Sequence, residues 1–408
     1  MRKYFILTRR ISDLGGAQLY VLRRCRHLKQ QGYMVHVVVS DHSQFFPLAD
    51  SFEGLLLSIV PEIKYHVAQQ TYDVQESVLN NLVNGIGMFE ECYVESHTLT
   101  TIEWGELLAA KCGARHLAYP LAESRVKKYP FLPGRRIFSE KLEKEEFYGC
   151  SSTSLRMIFG RDDVPSNYVN IGYDENELEE TCMPLIQYKK KEGDYIITTV
   201  TRLDKTYIEW LTDASADIAK KYPEQNFVLI IAGGSPKTDR EVFLKSNYNN
   251  VNYGLKNLDI RYLGYIDKLG KDLFRMSDLF VGMGTASINA ISQRCITINI
   301  DPRNGMQEAS GFFGVDTNNF AYSEKGKVYS IVGKIEEAYL FTDDQKERVK
   351  NAGRRLYEDE FEMNACFRKM DEIINSFDVV SDRESLRIPN YYRSIVRGLF
   401  EIKSLMKR

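Results

Sequence analysis

A short apolar run, a glycine turn, a helix and a second apolar run succeed one another over residues 4–39, and few architectures accommodate that order. Tyr4-Phe5-Ile6-Leu7 is apolar throughout, as a strand buried on both faces is. A polar loop then reaches Gly15-Gly16, and Ala17–Gln30 carries Leu19, Leu22, Cys25 and Leu28 at helical spacing. Gly32 ends the helix, and Val35–Val39 is the next apolar run. Two strands joined through a helix lie parallel in one sheet, so this is a βαβ unit.

The alternation continues through a strand at Leu55–Val60, a helix over Thr71–Asn84, a strand at Cys92–Val94, a helix over Trp104–Lys111 and a strand at His116–Tyr119. Tyr148–Ser151 reads as another strand and Ser154–Phe159 as a helix. Between Asn176 and Asp194 the composition turns polar, with Pro184 and Lys189-Lys190-Lys191, as in a linker. The pattern then restarts. Strands are expected at Tyr195–Val200, Phe227–Ala232, Ile260–Leu263, Leu279–Val281 and Ile296–Ile300, making a second parallel sheet. Helices are expected over Ile208–Lys221, Lys268–Met276 and Ser287–Arg294, then in charged stretches from Asp344 to Phe377 and after Pro389. The expected domains are residues 1–180 and 190–380, with the loops at their strand C-termini facing a central cleft.

A length of 408 residues suits two such domains. The formal charge of -2 gives no global attraction to nucleic acid. The seven cysteines are scattered without a CxxC pair, which predicts reduced thiols in a cytoplasmic protein, with neither a disulfide frame nor a zinc site. The run Tyr4–Leu7 stops before Arg9-Arg10, too short for a secretion signal or a membrane span, so a cytosolic chain is expected.

Three turns carry the chemistry. Gly15-Gly16-Ala17-Gln18 follows the first strand, where glycines let the backbone approach a ligand and the helix start offers free amides; good turn chemistry alone accounts for it equally well. Val200-Thr201-Arg202-Leu203-Asp204-Lys205 follows the first strand of the second domain, and Arg202 with Lys205 suits a diphosphate, or else is a solvated pair. Gly282-Met283-Gly284-Thr285-Ala286-Ser287 joins a strand to a helix, as a phosphate cradle does, although Thr285 and Ser287 serve equally as helix caps. Together these place a diphosphate site in the second sheet.

The runs "VTRLDK", "FVLIIAGGS", "IRYLGYI" and "MSDLFVGMGTASINAISQRCITINID", with the GGAQ turn, resemble in kind and order the GT-B-fold glycosyltransferases of retaining family 4, especially bacterial surface-polysaccharide enzymes. The resemblance implies a nucleotide diphosphate sugar held by the second domain, a glycan or lipid-linked acceptor held by the first around Gly15, Gly16 and Gln18, and a last helix, 388–408, crossing back to the first domain. It implies a metal-independent transferase without a cofactor beyond its donor. Donor contacts are then expected from Arg202, Lys205, Gly282, Gly284, Thr285, Ser287, Asn289, Tyr265 and Glu308. The chain departs from the pattern: of the usual glutamate pair the first has no counterpart, and Asn289-Ala290 stands where Glu-Ala is expected. Relatives of surface-polysaccharide type share that version together with a stretch like Asp301–Asn318. Glu123 or His97 is expected to orient or deprotonate the acceptor hydroxyl. A non-catalytic partner of the same fold is the alternative, and an epimerase a third reading.

Residues 125–144 interleave Arg125, Lys127, Lys128, Arg135, Arg136, Lys141 and Lys144 with Tyr129, Phe131, Leu132, Ile137, Phe138 and Leu142, which predicts contact with an anionic membrane surface.

Overall fold

The computed structural model describes residues 2–11, 16–41, 55–84, 90–121, 124–126, 133–182, 190–203, 205–234, 254–266, 268–302, 307–320 and 327–381. Gly15, Glu123 and the helix expected after Pro389 lie outside them. The chain divides into two compact units: residues up to Ile171 together with those from Cys366, and Gly172–Ala365.

The first unit is built on strands β1 (Arg2–Thr8), β2 (Met34–Val39), β3 (Leu56–Ile59), β4 (Glu91–Ser96) and β5 (Arg115–Ala118), all parallel, in the order β3-β2-β1-β4-β5. Its helices are α1 (Gly16–Gln30), α2 (Tyr72–Val83), α3 (Leu99–Cys112), α4 (Pro133–Glu143) and α5 (Ser154–Phe159). On one face Phe5, Leu7, Val38 and Val94 pack against Val78, Leu79 and Leu82 of α2 and Trp104 and Leu108 of α3. Thr98 caps α3 reciprocally with Thr101, and Gly113, at φ 60°, ends it in the left-handed conformation that glycine tolerates best. Tyr148–Ser151 is not a strand; only isolated bridges, Ala118 to Phe147 and Gly149 to Tyr168, form there.

The second unit contains β6 (Asp194–Val200), β7 (Asn226–Ala232), β8 (Leu258–Gly264), β9 (Leu279–Gly282), β10 (Thr297–Ile300), β11 (Glu308–Phe312) and β12 (Tyr329–Ser330), in the order β12-β11-β10-β9-β6-β7-β8. The expected wholly parallel sheet is corrected at one edge, where β11 and β12 run antiparallel. Residues 301–307 are too few for the dozen or so that a parallel crossover needs, so the chain turns straight back. Its helices are α6 (Tyr207–Lys221), α7 (Lys271–Arg275), α8 (Thr285–Ser292), α9 (Ile331–Tyr339) and α10 (Asp343–Leu356).

A π-helical turn, Tyr357–Phe361, separates α10 from α11 (Met363–Ser376). The widened turn buries both Tyr357 and Phe361: the Tyr357 hydroxyl donates to the Tyr173 carbonyl at 3.0 Å, and the Phe361 carbonyl accepts from Tyr173 N–H at 2.8 Å. From Cys366 onward α11 belongs to the first unit.

Candidate functional site

Strand order locates the crevice in each sheet. In the second unit β6 leads outward to β7 and β8 on one side, while β9 and β10 extend the other way. The loops leaving β6 and β9 therefore diverge and leave an opening at their C-terminal ends, where ligands of open α/β sheets sit. The loop after β6 is the one with Arg202 and Lys205, and the loop after β9 is Gly282–Thr285. Arg202 is exposed and Lys205 half-buried.

Glycines shape this edge by necessity. A Cβ on Gly233, whose φ is 149°, would lie 1.7 Å from the Thr201 carbonyl oxygen. The closeness is bonded in place: Thr201 N–H donates to the Ala232 carbonyl at 2.9 Å and Leu203 N–H to the Gly234 carbonyl at 3.0 Å. A short bond of 2.5 Å from the Tyr207 hydroxyl to Thr201 Oγ1 fixes the loop from the first turn of α6. Gly284, at φ 72°, is the N-cap of α8, and its N–H donates to the Phe320 carbonyl at 2.7 Å. The first amides of α8 thus open at the crevice with the partial positive charge of a helix start.

Several polar atoms beneath this edge have no hydrogen-bond partner among the described residues: Thr199 Oγ1, Ser287 Oγ, Asn289 Oδ1 and Asn299 Oδ1, all on buried residues. Asn299 is the register partner of Gly282, and a Cβ on Gly282 would come within 3.8 Å of Thr199 Oγ1. Leaving such groups unbonded costs free energy, and of the four, Thr199 and Asn299 border Gly282 at the end of β9. Thr199 and Asn299 carry no signal in the sequence, where they are ordinary strand residues. Tyr265, 49% exposed, follows β8 beside Gly234, and Glu308 opens β11, its carbonyl accepting from Asp301 N–H at 3.1 Å. Every described donor residue expected from the sequence therefore lies at or just beyond strand C-termini or in the first two turns of α8, save Glu308, which reaches that edge from the antiparallel side.

In the first unit the corresponding opening lies between β1 and β4, with Gly16 and Gln18 in the first turn of α1 and His97 directly after β4. His97 is buried, and its Nε2 lies 2.8 Å from Glu95 Oε1. Glu95 also accepts from Tyr20 (2.8 Å) and Tyr4 (2.7 Å) and pairs with Arg24 at 3.1 Å; Arg24 in turn reaches Asp371 of α11 at 2.7 Å. Burial alone would raise the Glu95 carboxyl, but the Arg24 guanidinium, His97 and Tyr4 hold it well below the usual carboxylate range. Glu95 is therefore an anion at all ordinary pH values and accepts the Nε2 proton of His97.

Ser96, His116 and Glu106 form a second chain, with Ser96 Oγ 3.0 Å from His116 Nε2 and His116 Nδ1 2.8 Å from Glu106 Oε2. The connectivity is that of a hydrolase triad, yet all three are fully buried, and a Cβ on Gly105 would lie 2.2 Å from Ser96 Oγ. No substrate reaches that hydroxyl, and the set is structural.

The membrane-facing reading of residues 125–144 is corrected for its described apolar members. Ile137, Phe138 and Leu142 of α4 are buried with Ile102, Ala118 and Phe147, and Lys141 is sealed between Glu106 and Glu146 at 2.9 Å each. Interleaved basic and apolar residues here mark a docked helix with a buried ion pair. Tyr129, Phe131 and Leu132 lie outside the described residues. No described helix is long and apolar enough to cross a membrane, and no described group of three His, Cys, Asp or Glu could hold a metal ion.

No family model matches this sequence, and no curated protein does. Solved structures are similar over nearly the whole chain. Anabaena Alr3699/HepE in complex with UDP is 12% identical, covering 92% of this chain and 100% of its own, with a TM-score of 0.65. A glycosyltransferase from Rickettsia africae is 14% identical over 95% of this chain and 99% of its own, with a TM-score of 0.67. Sucrose-phosphate synthase from Thermosynechococcus elongatus is 14% identical over 92% and 98%, with a TM-score of 0.59. The likeness is one of fold: two parallel-dominated α/β units of the GT-B kind.

Proposed function

We propose that this chain is a glycosyltransferase that binds a nucleotide diphosphate sugar at the β6–β9 crevice and transfers the sugar to a glycan or lipid-linked acceptor of a surface polysaccharide. The observation that carries the reading is the pairing, across one crevice, of the Arg202–Lys205 loop with the glycine loop that starts α8. Two cations and free amides there would stabilise the charge that builds on a departing diphosphate, with no metal required. Transfer with retention needs no dedicated protein nucleophile, so Asn289 in place of a carboxylate on α8 is compatible with it. In the first unit His97, buried after β4 with its Nε2 2.8 Å from Glu95, acts in this reading by positioning the residues that meet the acceptor, not by touching it. Glu123 is the proposed base for the acceptor hydroxyl. The protein acts in the cytoplasm at the inner face of the membrane; contact through residues 125–144 then rests on exposed basic groups such as Arg125 and Lys144.

Asn289 also favours a second reading, a non-catalytic GT-B partner that positions another transferase. A thermal-shift screen of nucleotide sugars, followed by calorimetry on wild type and Arg202→Ala, separates them. Donor binding and hydrolysis or transfer that collapse in the variant support the enzyme. Failure to bind any nucleotide diphosphate overturns the enzyme and favours the partner, as does binding without any turnover.

A further inference from the structure

One edge of the first sheet is apolar and open. β3 ends the order β3-β2-β1-β4-β5, so among the described residues no strand lies beside its outer N–H and C=O groups. Edge strands usually carry a lysine, a proline or a bulge that turns other chains away. Leu56-Leu57-Ser58-Ile59 has none of these, and Leu56, Leu57 and Ile59 are 47%, 38% and 48% exposed.

A groove of about 650 Å³ runs along this edge. Consecutive residues, 57–60, line it, and since their side chains alternate between the faces of the sheet, it follows the rim of β3 and not one face. The opposite wall is α2, through Asp73, Val74, Ser77, Val78 and Asn81, which share one side of the helix from its first turn to its last. From Asp73 to Asn81 is about 12 Å at the helical rise, and the four residues of β3 cover about 13 Å. The two walls therefore match in length, with room for one extended strand between them.

The charged groups of the groove have one sign. Glu62 follows β3, and Asp73 stands in the first turn of α2; neither forms an ion pair among the described residues. A helix that joins parallel strands runs back along them, so that first turn lies at the same end of the groove as Glu62. β3 and α2 contain no lysine or arginine. Lys64 lies over the Tyr65 ring at 5.0 Å, and Lys111 bonds Glu76 at 2.7 Å, so neither neutralises the pair.

We propose that β3 accepts an extended segment of a partner protein as an added strand between itself and α2, the segment having apolar residues at alternate positions and a lysine or arginine at the end beside Glu62 and Asp73. Its main chain bonds the outer groups of β3, its apolar side chains pack on Val74 and Val78, and its cation meets the two carboxylates. The site stands on residues of the first unit alone and is independent of what the second unit binds.

The test titrates the full chain into a capped, dye-labelled heptapeptide, with lysine at both ends and valine alternating with threonine between them, and reads fluorescence anisotropy. Binding should saturate, and the same peptide with glutamate at both ends should bind at least about tenfold more weakly. Glu62→Gln combined with Asp73→Asn should weaken the lysine peptide by roughly tenfold, the scale of two exposed charge contacts. Of two lysine peptides N-methylated on alternate amides, the one blocked towards β3 should lose binding and the other keep it. That comparison uses wild-type protein and does not depend on a variant folding. No saturable binding, equal binding of the two methylated peptides, or equal binding of the lysine and glutamate peptides overturns the proposal. Sedimentation that shows a dimer made monomeric by Leu57→Lys gives the edge to a second copy of the chain and overturns it too.

Discussion

The imidazole of His97 and the carboxylate of Glu95 lie 2.8 Å apart on neighbouring same-side positions at the end of β4, both sealed from solvent. Glu95 is thereby the centre of a network that reaches from β1 through α1 to α11. Replacing it by Gln leaves Arg24 with one anion fewer in a buried place, and breaking such a pair costs about 3 kcal/mol. Urea unfolding should show that loss, and Arg24→Met added to Glu95→Gln should recover part of it.

Arg202→Ala should weaken binding of the nucleotide diphosphate found in the screen by roughly 10- to 100-fold, since one charge-assisted contact is worth about 1.5–3 kcal/mol. Arg202 is exposed, so the thermal midpoint of the free protein should stay within a degree or two, a change on the order of the usual surface effect. Calorimetry and thermal melts on the same samples check both halves.

The two glycines of the crevice should respond differently to alanine. At Gly233 the new Cβ collides with the Thr201 carbonyl and shifts the loop that carries Arg202, so on the order of 3 kcal/mol of stability and most nucleotide affinity should go. At Gly284 nothing lies within 4 Å of the added atom, and the penalty, about 2 kcal/mol, comes only from a backbone conformation (φ 72°, ψ -148°) that hardly any residue but glycine adopts, with no neighbour displaced. Equal losses at both positions would contradict this account.

His36, on β2, is lowered to about 4 by burial and by the nearby Lys3. An unfolded chain takes up that proton near the ordinary value of 6.5. The stability belonging to a neutral His36 is therefore complete above that value and is lost as pH falls from there through about 4, by up to about 3 kcal/mol. Wild type should lose stability across that window more steeply than His36→Gln, as measured by urea melts at stepped pH.

Phe138→Ala should destabilise the first unit by about 3 kcal/mol, because its ring fills the core under α4. Binding of the folded remainder to anionic vesicles should not change. A selective loss of vesicle binding at unaltered stability would restore the membrane role of this side chain.

How far the sequence could be read follows from how local each signal is. The runs at Tyr4–Leu7, Val35–Val39 and Phe227–Ala232 are apolar on both faces, and each became a strand extended by at most a few residues. Arg202 and the Gly282–Ser287 loop were legible because they directly follow such runs. Glu308–Phe312 was missed because β11 contains Ser310 and Gly311 and, as a five-residue strand near an edge, has little apolar continuity. Helix α4 was misjudged because Lys141 looks like a surface charge until Glu106, far away in sequence, is placed beside it. The Glu95 network was unreadable for the same reason, since Arg24 and Asp371 come from opposite ends of the chain.

The membership of α11 in the first unit bears on synthesis. Residues up to Ile171 leave the ribosome without Asp371, which holds Arg24 and lies 2.7 Å from His27 Nε2, and without Phe367, which packs on Tyr20. The second unit, contiguous from Gly172 to Ala365, is an insertion that can mature while its host waits. Nascent chains cut short before Cys366 would therefore carry a finished second unit and a first unit still in need of chaperones.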